Sequence, residues 1–233
     1  MRFTLPLSFA VLLGAAPAAL AQNTTTDVPP VIDVHVHAMD DVPWGAPVCP
    51  NQVRFEASDP ANGPEAPFGW SKEDCTPKLY PAPKGKYREM VLAEMERLNV
   101  RAVVFGEPDA VKAWAAAAPA RVIPGTTFGA VGKSDAAKDL KMLEVAFGKD
   151  GFKVMGEIGL QYQGISPSDM RVDQFFALAE KMDVPVAIHM GTGGSGRANV
   201  AMPDFRGSAG NPLLLEELLA RHPKLRVQVM HAG

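Results

Sequence analysis

Residues 31–37 read Val31-Ile32-Asp33-Val34-His35-Val36-His37. The β-branched residues fit a pleated strand, and the run reads as a buried one. Side chains two apart on a strand share a face, so His35 and His37 point the same way and can hold one metal ion together. Asp33 is expected on that face, one step deeper. In parallel α/β folds the functional groups gather at the C-terminal edge of the sheet. These histidines close the strand at that edge.

Outward from this strand, the chain alternates strand and helix. An irregular stretch comes first, residues 38–85, with nine prolines, Trp44, Trp70 and both cysteines. A loop of that length is usually functional, and it reads as a lid or covering excursion. A helix is expected over 87–98, with Met90, Val91, Met95 and Leu98 on one stripe. Strands are expected at 101–105, 122–128, 152–158, 185–189 and 225–231. Helices are expected at 110–118, 135–147 and 171–182, the last with Val172, Phe175, Phe176 and Ala179 at helical spacing. Pro185 sits at a strand start, where a missing N–H costs least. A further helix is opened by Asn211 as cap with Pro212 in the first turn. This alternation implies a parallel sheet covered by helices. It fits an open doubly wound sheet and a closed (β/α) barrel equally.

Four of the five histidines end expected strands: His35 and His37 on the first, His189 on the fifth and His231 on the sixth. Glu157, in Gly156-Glu157-Ile158-Gly159, ends the fourth. A carboxylate beside histidines suits a hard-to-borderline divalent ion and can bridge two of them; the alternative is an acid that orients a neighbour. Lys153 lies toward the strand start, the wrong end for a metal-bridging modified lysine. His222 ends a helix, where a cation suits the dipole, and reads as structural. The loop Gly191-Thr192-Gly193-Gly194-Ser195-Gly196 spells G-x-G-x-x-G. It opens no helix directly and no acidic strand end follows, so it reads as a pliable loop over the metal. Arg197 and Arg206 could hold an anionic substrate group; the plainer alternative is a pair of solvated loop arginines. Tyr162, Gln163, Trp44 and Trp70 could line a pocket.

Composition bounds the rest. The 233 residues are 47% hydrophobic and 21% charged, which excludes a disordered or fibrous chain. A net charge of −3 argues against a nucleic-acid partner. Residues 1–21 read as a secretory signal, with Arg2, an apolar run, and Ala19-Leu20-Ala21 as the cleavage site before Gln22. Residues 22–30 form a polar, Thr-rich leader. No later apolar run reaches membrane-spanning length, so no membrane association is expected after cleavage. A periplasmic or secreted protein follows. In such an oxidising compartment Cys49 and Cys75 are expected to form a disulfide, two unrelated thiols being the alternative.

Taken in order, the His35-x-His37 strand, Glu157, His189 and the Val229-Met230-His231-Ala232-Gly233 end resemble the amidohydrolase superfamily of metal-dependent (β/α)8 hydrolases, most closely its amidohydrolase-2 branch. The resemblance covers nearly all of the chain after Pro30. It implies an α/β fold of the (β/α)8 TIM-barrel type over residues 31–233, with about six βα units present. It also implies that His35, His37, His189 and His231 bind one or two divalent ions, most often zinc. Metal-activated water would then attack an amide, ester or lactone of a small-molecule substrate. Gly156-Glu157-Ile158-Gly159-Leu160 is similar to the strand-four segment of related metal-dependent deoxyribonucleases, where the Glu is a ligand. In such proteins an Asp ending strand eight binds metal and acts as general base. This chain lacks it, and Asp33 lies too deep to replace it. A barrel cut short at its C-terminal end is therefore expected, with strand six a hydrophobic edge (Val227, Val229). Such a chain should be poorly soluble and inactive by itself. Non-oxidative decarboxylation is the second activity the resemblance implies. A secreted binding domain that kept the fold and lost activity is the third. Substrate identity and assembly into a homo-oligomer stay open.

Overall fold

The computed structural model describes residues 29–39, 85–191 and 203–231. The expected signal, the leader up to residue 28, Trp44, Trp70, Cys49, Cys75, Arg197 and nearly all of the long loop lie outside them. The described residues form six strands and five α-helices. The strands are β1 (Val31–His37), β2 (Val100–Phe105), β3 (Val122–Thr126), β4 (Val154–Ile158), β5 (Val186–His189) and β6 (Val227–Met230). The helices are α1 (Tyr87–Arg97), α2 (Pro108–Ala117), α3 (Ala136–Gly148), α4 (Met170–Lys181) and α5 (Leu215–Arg221).

Strand order separates the two architectures that alternation left open. All five pairings are parallel, and the order in the sheet is β1-β2-β3-β4-β5-β6. A doubly wound sheet starts near its middle and reverses at a switch point; this one never reverses. It is also curled. Neighbouring strands lie about 4.8 Å apart, so a flat sheet would hold its outer strands roughly 24 Å apart. Yet the rings of His35 on β1 and His231 after β6 have centroids only 4.6 Å apart. The chain is a curled, partial barrel of the (β/α)8 type.

Strand alternation divides the side chains between two faces. Ala102 and Val104 of β2 pack with Met95 of α1, Trp114 of α2 and Val122 on the helical side. Val103 and Phe105 join Val154, Ala187 and Met230 on the concave side. Gly125 makes room for that concave layer, since a Cβ there would lie 2.5 Å from the Phe105 ring. The largest cluster joins β4 and β5 to α3, α4 and α5. Within it Val172, Phe175, Phe176 and Ala179 are buried as their spacing predicts, and Phe175 stacks on Phe128 at 4.0 Å.

Capping explains where the helices start. Asp135 accepts from the amides of Ala137 and Lys138 to open α3, and Asp169 accepts from Arg171 to open α4. Asn211 caps a short 3₁₀ turn, Pro212–Leu214, which leads into α5. None of the described helices is long and apolar enough to cross a membrane.

Two local expectations need correction. The strand β1 forms where expected but is not buried: Val31, Ile32 and Val34 are 63%, 50% and 39% exposed. The cause is its place at the sheet edge, hydrogen-bonded to β2 alone among the described residues. The strand β6 is the other edge, as expected, hydrogen-bonded to β5 alone among the described residues, with Val227 and Val229 half-buried against the main core. Leu98 caps α1 and is exposed instead of completing its apolar stripe.

Candidate metal centre

Four strand ends meet at one carboxylate. Glu157, near the end of β4, turns Oε2 toward β1, 3.0 Å from His35 Nε2 and 3.3 Å from His37 Nε2. Its Oε1 faces the other way, 2.5 Å from His189 Nδ1 at the end of β5 and 3.4 Å from His231 Nε2 after β6. The alternation that puts His35 and His37 on one face of β1 brings their Nε2 atoms within 3.1 Å of each other. His231 follows β6 with a positive φ of 58°, a conformation L-residues adopt at a cost. Gly191 lies against it: a Cβ there would sit 2.5 Å from the His231 carbonyl oxygen.

The donors form two triads that share Glu157. One is His35, His37 and Glu157; the other is Glu157, His189 and His231. In each, the candidate ligand atoms lie within 4.8 Å of one another. Imidazole nitrogens with a carboxylate are a donor set suited to zinc and similar divalent ions. A carboxylate whose two oxygens face two triads can bridge adjacent ions. The residues present fit such a group.

The electrostatics fit too. Burial alone would raise the Glu157 carboxyl, but hydrogen bonds from His189, His35 and His37 outweigh it and hold the group well below the ordinary carboxylate range. Glu157 is therefore an anion at neutral pH, the form a cation requires. The same hydrogen bond raises the His35 imidazole above its usual value, against the effect of its own burial. His231 moves down, through burial and the neighbouring His189 and His35 rings. Beneath the cluster lies an apolar floor, with the Phe105 ring 6.3 Å from His35.

Other candidates fall elsewhere. Asp33 does not share the face of His35. The register of β1 on β2 slips between Asp33 and Val36, and Asp33 lines a groove with Val36, Tyr87 and Val91 on the α1 side. Its Oδ1 accepts from the His35 amide at 2.9 Å. Lys153 is exposed just before the start of β4. Arg206 donates Nη1 to the carbonyl oxygens of Pro203 and Phe205, within its own loop. His222 is buried between α4 and α5, 3.1 Å from Asp173 and 3.4 Å from Glu180. Its structural role rests on these two acids more than on the helix dipole. Tyr162 sits at the centre, with its hydroxyl 2.8 Å from His189 Nε2.

Gln161 has no place in the sequence reading. Its side chain is fully buried and donates Nε2 to the Gly191 carbonyl at 3.1 Å. The pattern Gly159-Leu160-Gln161-Tyr162-Gln163-Gly164, polar residues bracketed by glycines just after a ligand-bearing strand, was the available signal.

The amidohydrolase family matches the chain over residues 32–233. No curated protein sequence matches it. Among solved structures, an uncharacterised TIM-barrel protein from Bordetella bronchiseptica is 19% identical, with a TM-score of 0.45, over 60% of this chain and 49% of that one. The 4-oxalomesaconate hydratase of Rhodopseudomonas palustris is 15% identical, with a TM-score of 0.48, over 84% of this chain and 61% of that one. A dihydroxybenzoic acid decarboxylase from Polaromonas sp. JS666, with bound manganese and an inhibitor, is 12% identical, with a TM-score of 0.43, over 86% and 64%. The chain thus spans between half and two thirds of the length of these structures.

Proposed function

We propose, from the premise that this chain belongs to the amidohydrolase family, that it carries the metal-binding residues of a hydrolase acting on an amide, ester or lactone of a small molecule. One observation carries the reading: a single anionic carboxylate, Glu157, lies within 3.4 Å of nitrogens from four strand-end histidines. His35 and His37 would hold one ion, His189 and His231 a second, and Glu157 would bridge them. Zinc suits the donors, and manganese is the alternative to compare with it. A divalent ion so bound supplies Lewis acidity and lowers the pKa of a coordinated water.

The chain's own residues do the rest. Glu157 brings negative charge to a pocket with an apolar floor, which favours cation capture. His189 and His231 are carried by strands packed on both faces, while His35 and His37 are held by the pairing of β1 with β2. Reaction at this edge would place the substrate above the C-terminal ends of β1, β4, β5 and β6. With a cleavable signal at residues 1–21, the protein would work in the periplasm or outside the cell.

The test begins with the metal. The purified chain, loaded with zinc and then freed of excess, is assayed by elemental analysis; metal content no greater than that of a chain lacking both His35 and His37 would sink the reading. Turnover is then followed with ester, lactone and amide substrates, and with a carboxylated aromatic. Acid release without CO2 supports hydrolysis. CO2 release from the carboxylated aromatic would replace it with decarboxylation. Metal binding without any turnover fits a binding protein and equally a chain that lacks the strand-eight Asp.

A further inference from the structure

Just after β4 the chain makes a single 3₁₀ turn, Leu160–Gln163, closed by Gly164 in the left-handed conformation at φ 65°. Three residues per turn send successive side chains in three directions. The three that follow Leu160 reach two neighbouring segments, the end of β5 and the loop after β3. Gln161 donates Nε2 to the Gly191 carbonyl, two residues beyond His189. Gln163 Oε1 accepts from the Val131 amide at 2.8 Å. Between them, the Tyr162 hydroxyl meets His189 Nε2 at 2.8 Å. The backbone is tied as well, with the Arg206 amide donating to the Gln161 carbonyl at 3.0 Å.

The Tyr162 ring is equally confined. It lies 5.6 Å from Phe205 and 4.6 Å from the His189 ring. A Cβ at Gly159 would come within 2.9 Å of it, so glycine is what allows the ring to lie across the strand end. Anchors on both sides of Tyr162 and contacts around its ring give its hydroxyl one position.

His189 has two nitrogens and both are engaged. Nδ1 faces Glu157 at 2.5 Å, and Nε2 faces Tyr162. A neutral imidazole carries one N–H. Without an ion the Glu157 carboxylate, an acceptor only, takes it from Nδ1 and the Tyr162 hydroxyl donates to Nε2. With an ion held at Nδ1 the N–H would shift to Nε2, where the hydroxyl oxygen can accept it. We infer that Tyr162 is a positioning residue: with an ion at the triad of Glu157, His189 and His231, its hydroxyl oxygen would accept the Nε2–H of His189 and so keep the Nδ1 lone pair directed at that ion. Outer partners of this kind fix ring orientation and ligand basicity, and their loss costs about 10–100-fold in metal affinity. The inference rests on the metal reading proposed above and adds which nitrogen binds and what holds it.

Tyr162→Phe removes the hydroxyl and keeps the ring, so packing against Gly159 and Phe205 survives. In the full chain titrated with cobalt(II), the variant should bind one ion about 10–100-fold more weakly. Its visible spectrum should change, while the ion at His35 and His37 binds as in the wild type. Thermal midpoints of the two metal-free proteins should agree. A second measurement needs no variant: long-range proton–nitrogen NMR of the zinc-loaded wild type should show His189 protonated at Nε2 and metal-bound at Nδ1. Wild-type affinity and spectrum in Tyr162→Phe, or the opposite tautomer in the wild type, would overturn the inference and leave the metal reading standing. A wild type that takes up no cobalt or zinc would overturn both.

Discussion

Glu157 is the residue on which the proposed centre turns, because its two oxygens serve different partners. Oε2 faces His35 and His37, while Oε1 faces His189 and His231. A graded loss of metal follows. Replacing His35 and His37 together by Ala should remove one of two ions, and His189→Ala should remove the other. Glu157→Gln, which keeps the shape and drops the charge, should weaken both by at least about tenfold, since a cation there would lose its only anionic ligand among the described residues. Elemental analysis after loading counts the ions. Loss of all the metal from either histidine change would mean one shared ion instead of two. The histidines were legible in the sequence because period-two spacing on a strand is a local property. Glu157 as a bridging carboxylate was legible too; which histidines each of its oxygens faces was not, because that depends on how far the sheet curls. Asp33 was misread for a related reason: a slip in register between Asp33 and Val36 undoes the alternation from which its face was assigned.

Between elements, α4 and α5 are joined by ionised groups. Asp173 accepts from Arg221 Nε at 2.8 Å and lies 3.1 Å from His222 Nε2, while Glu180 approaches the other ring nitrogen and accepts from the Lys224 amide. Burial would raise the Asp173 carboxyl, but Arg221 and His222 hold it below its ordinary value of 3.8. A carboxyl with a lowered folded-state value stabilises the fold above its unfolded value, and the benefit is lost as the pH falls through the folded one. Asp173→Asn should therefore destabilise the chain at neutral pH by about 1 kcal/mol, allowing for solvent screening. Below pH 3.8 the two proteins should converge as Asp173 becomes protonated. Urea midpoints at several pH values measure this, and a constant difference down to low pH would contradict it. The helices themselves were legible from caps and stripes, as Asp135, Asp169 and the buried face of α4 show. Leu98 was not, because a stripe continues on paper after the helix has ended.

For the molecule as a whole, alternation of strand and helix predicted a parallel sheet but not its closure, since both candidate architectures use the same local signals. Strand order and curl decide it, and both are long-range properties. They also make β1 and β6 the two edges among the described residues. The sequence pattern reads β1 as buried and β6 as an edge, yet packing against the main core half-buries Val227 and Val229 and leaves Val31, Ile32 and Val34 exposed. Beside β1 the groove toward α1 is lined by Val36, Met90, Val91 and Leu98. An exposed apolar edge strand with unpaired backbone groups templates pairing with other chains. The full chain should therefore self-associate through β1, and Ile32→Lys with Val34→Lys should shift it toward monomer. Sedimentation velocity reads the assembly state, and elemental analysis reads the metal in the same samples. Because His35 and His37 are untouched, metal content per chain should stay at the wild-type level while the association falls. If the lysine variant associates as strongly as the wild type, contacts away from β1 hold the copies together; if it loses metal, the β1 backbone rather than its apolar side chains sets the geometry of the centre.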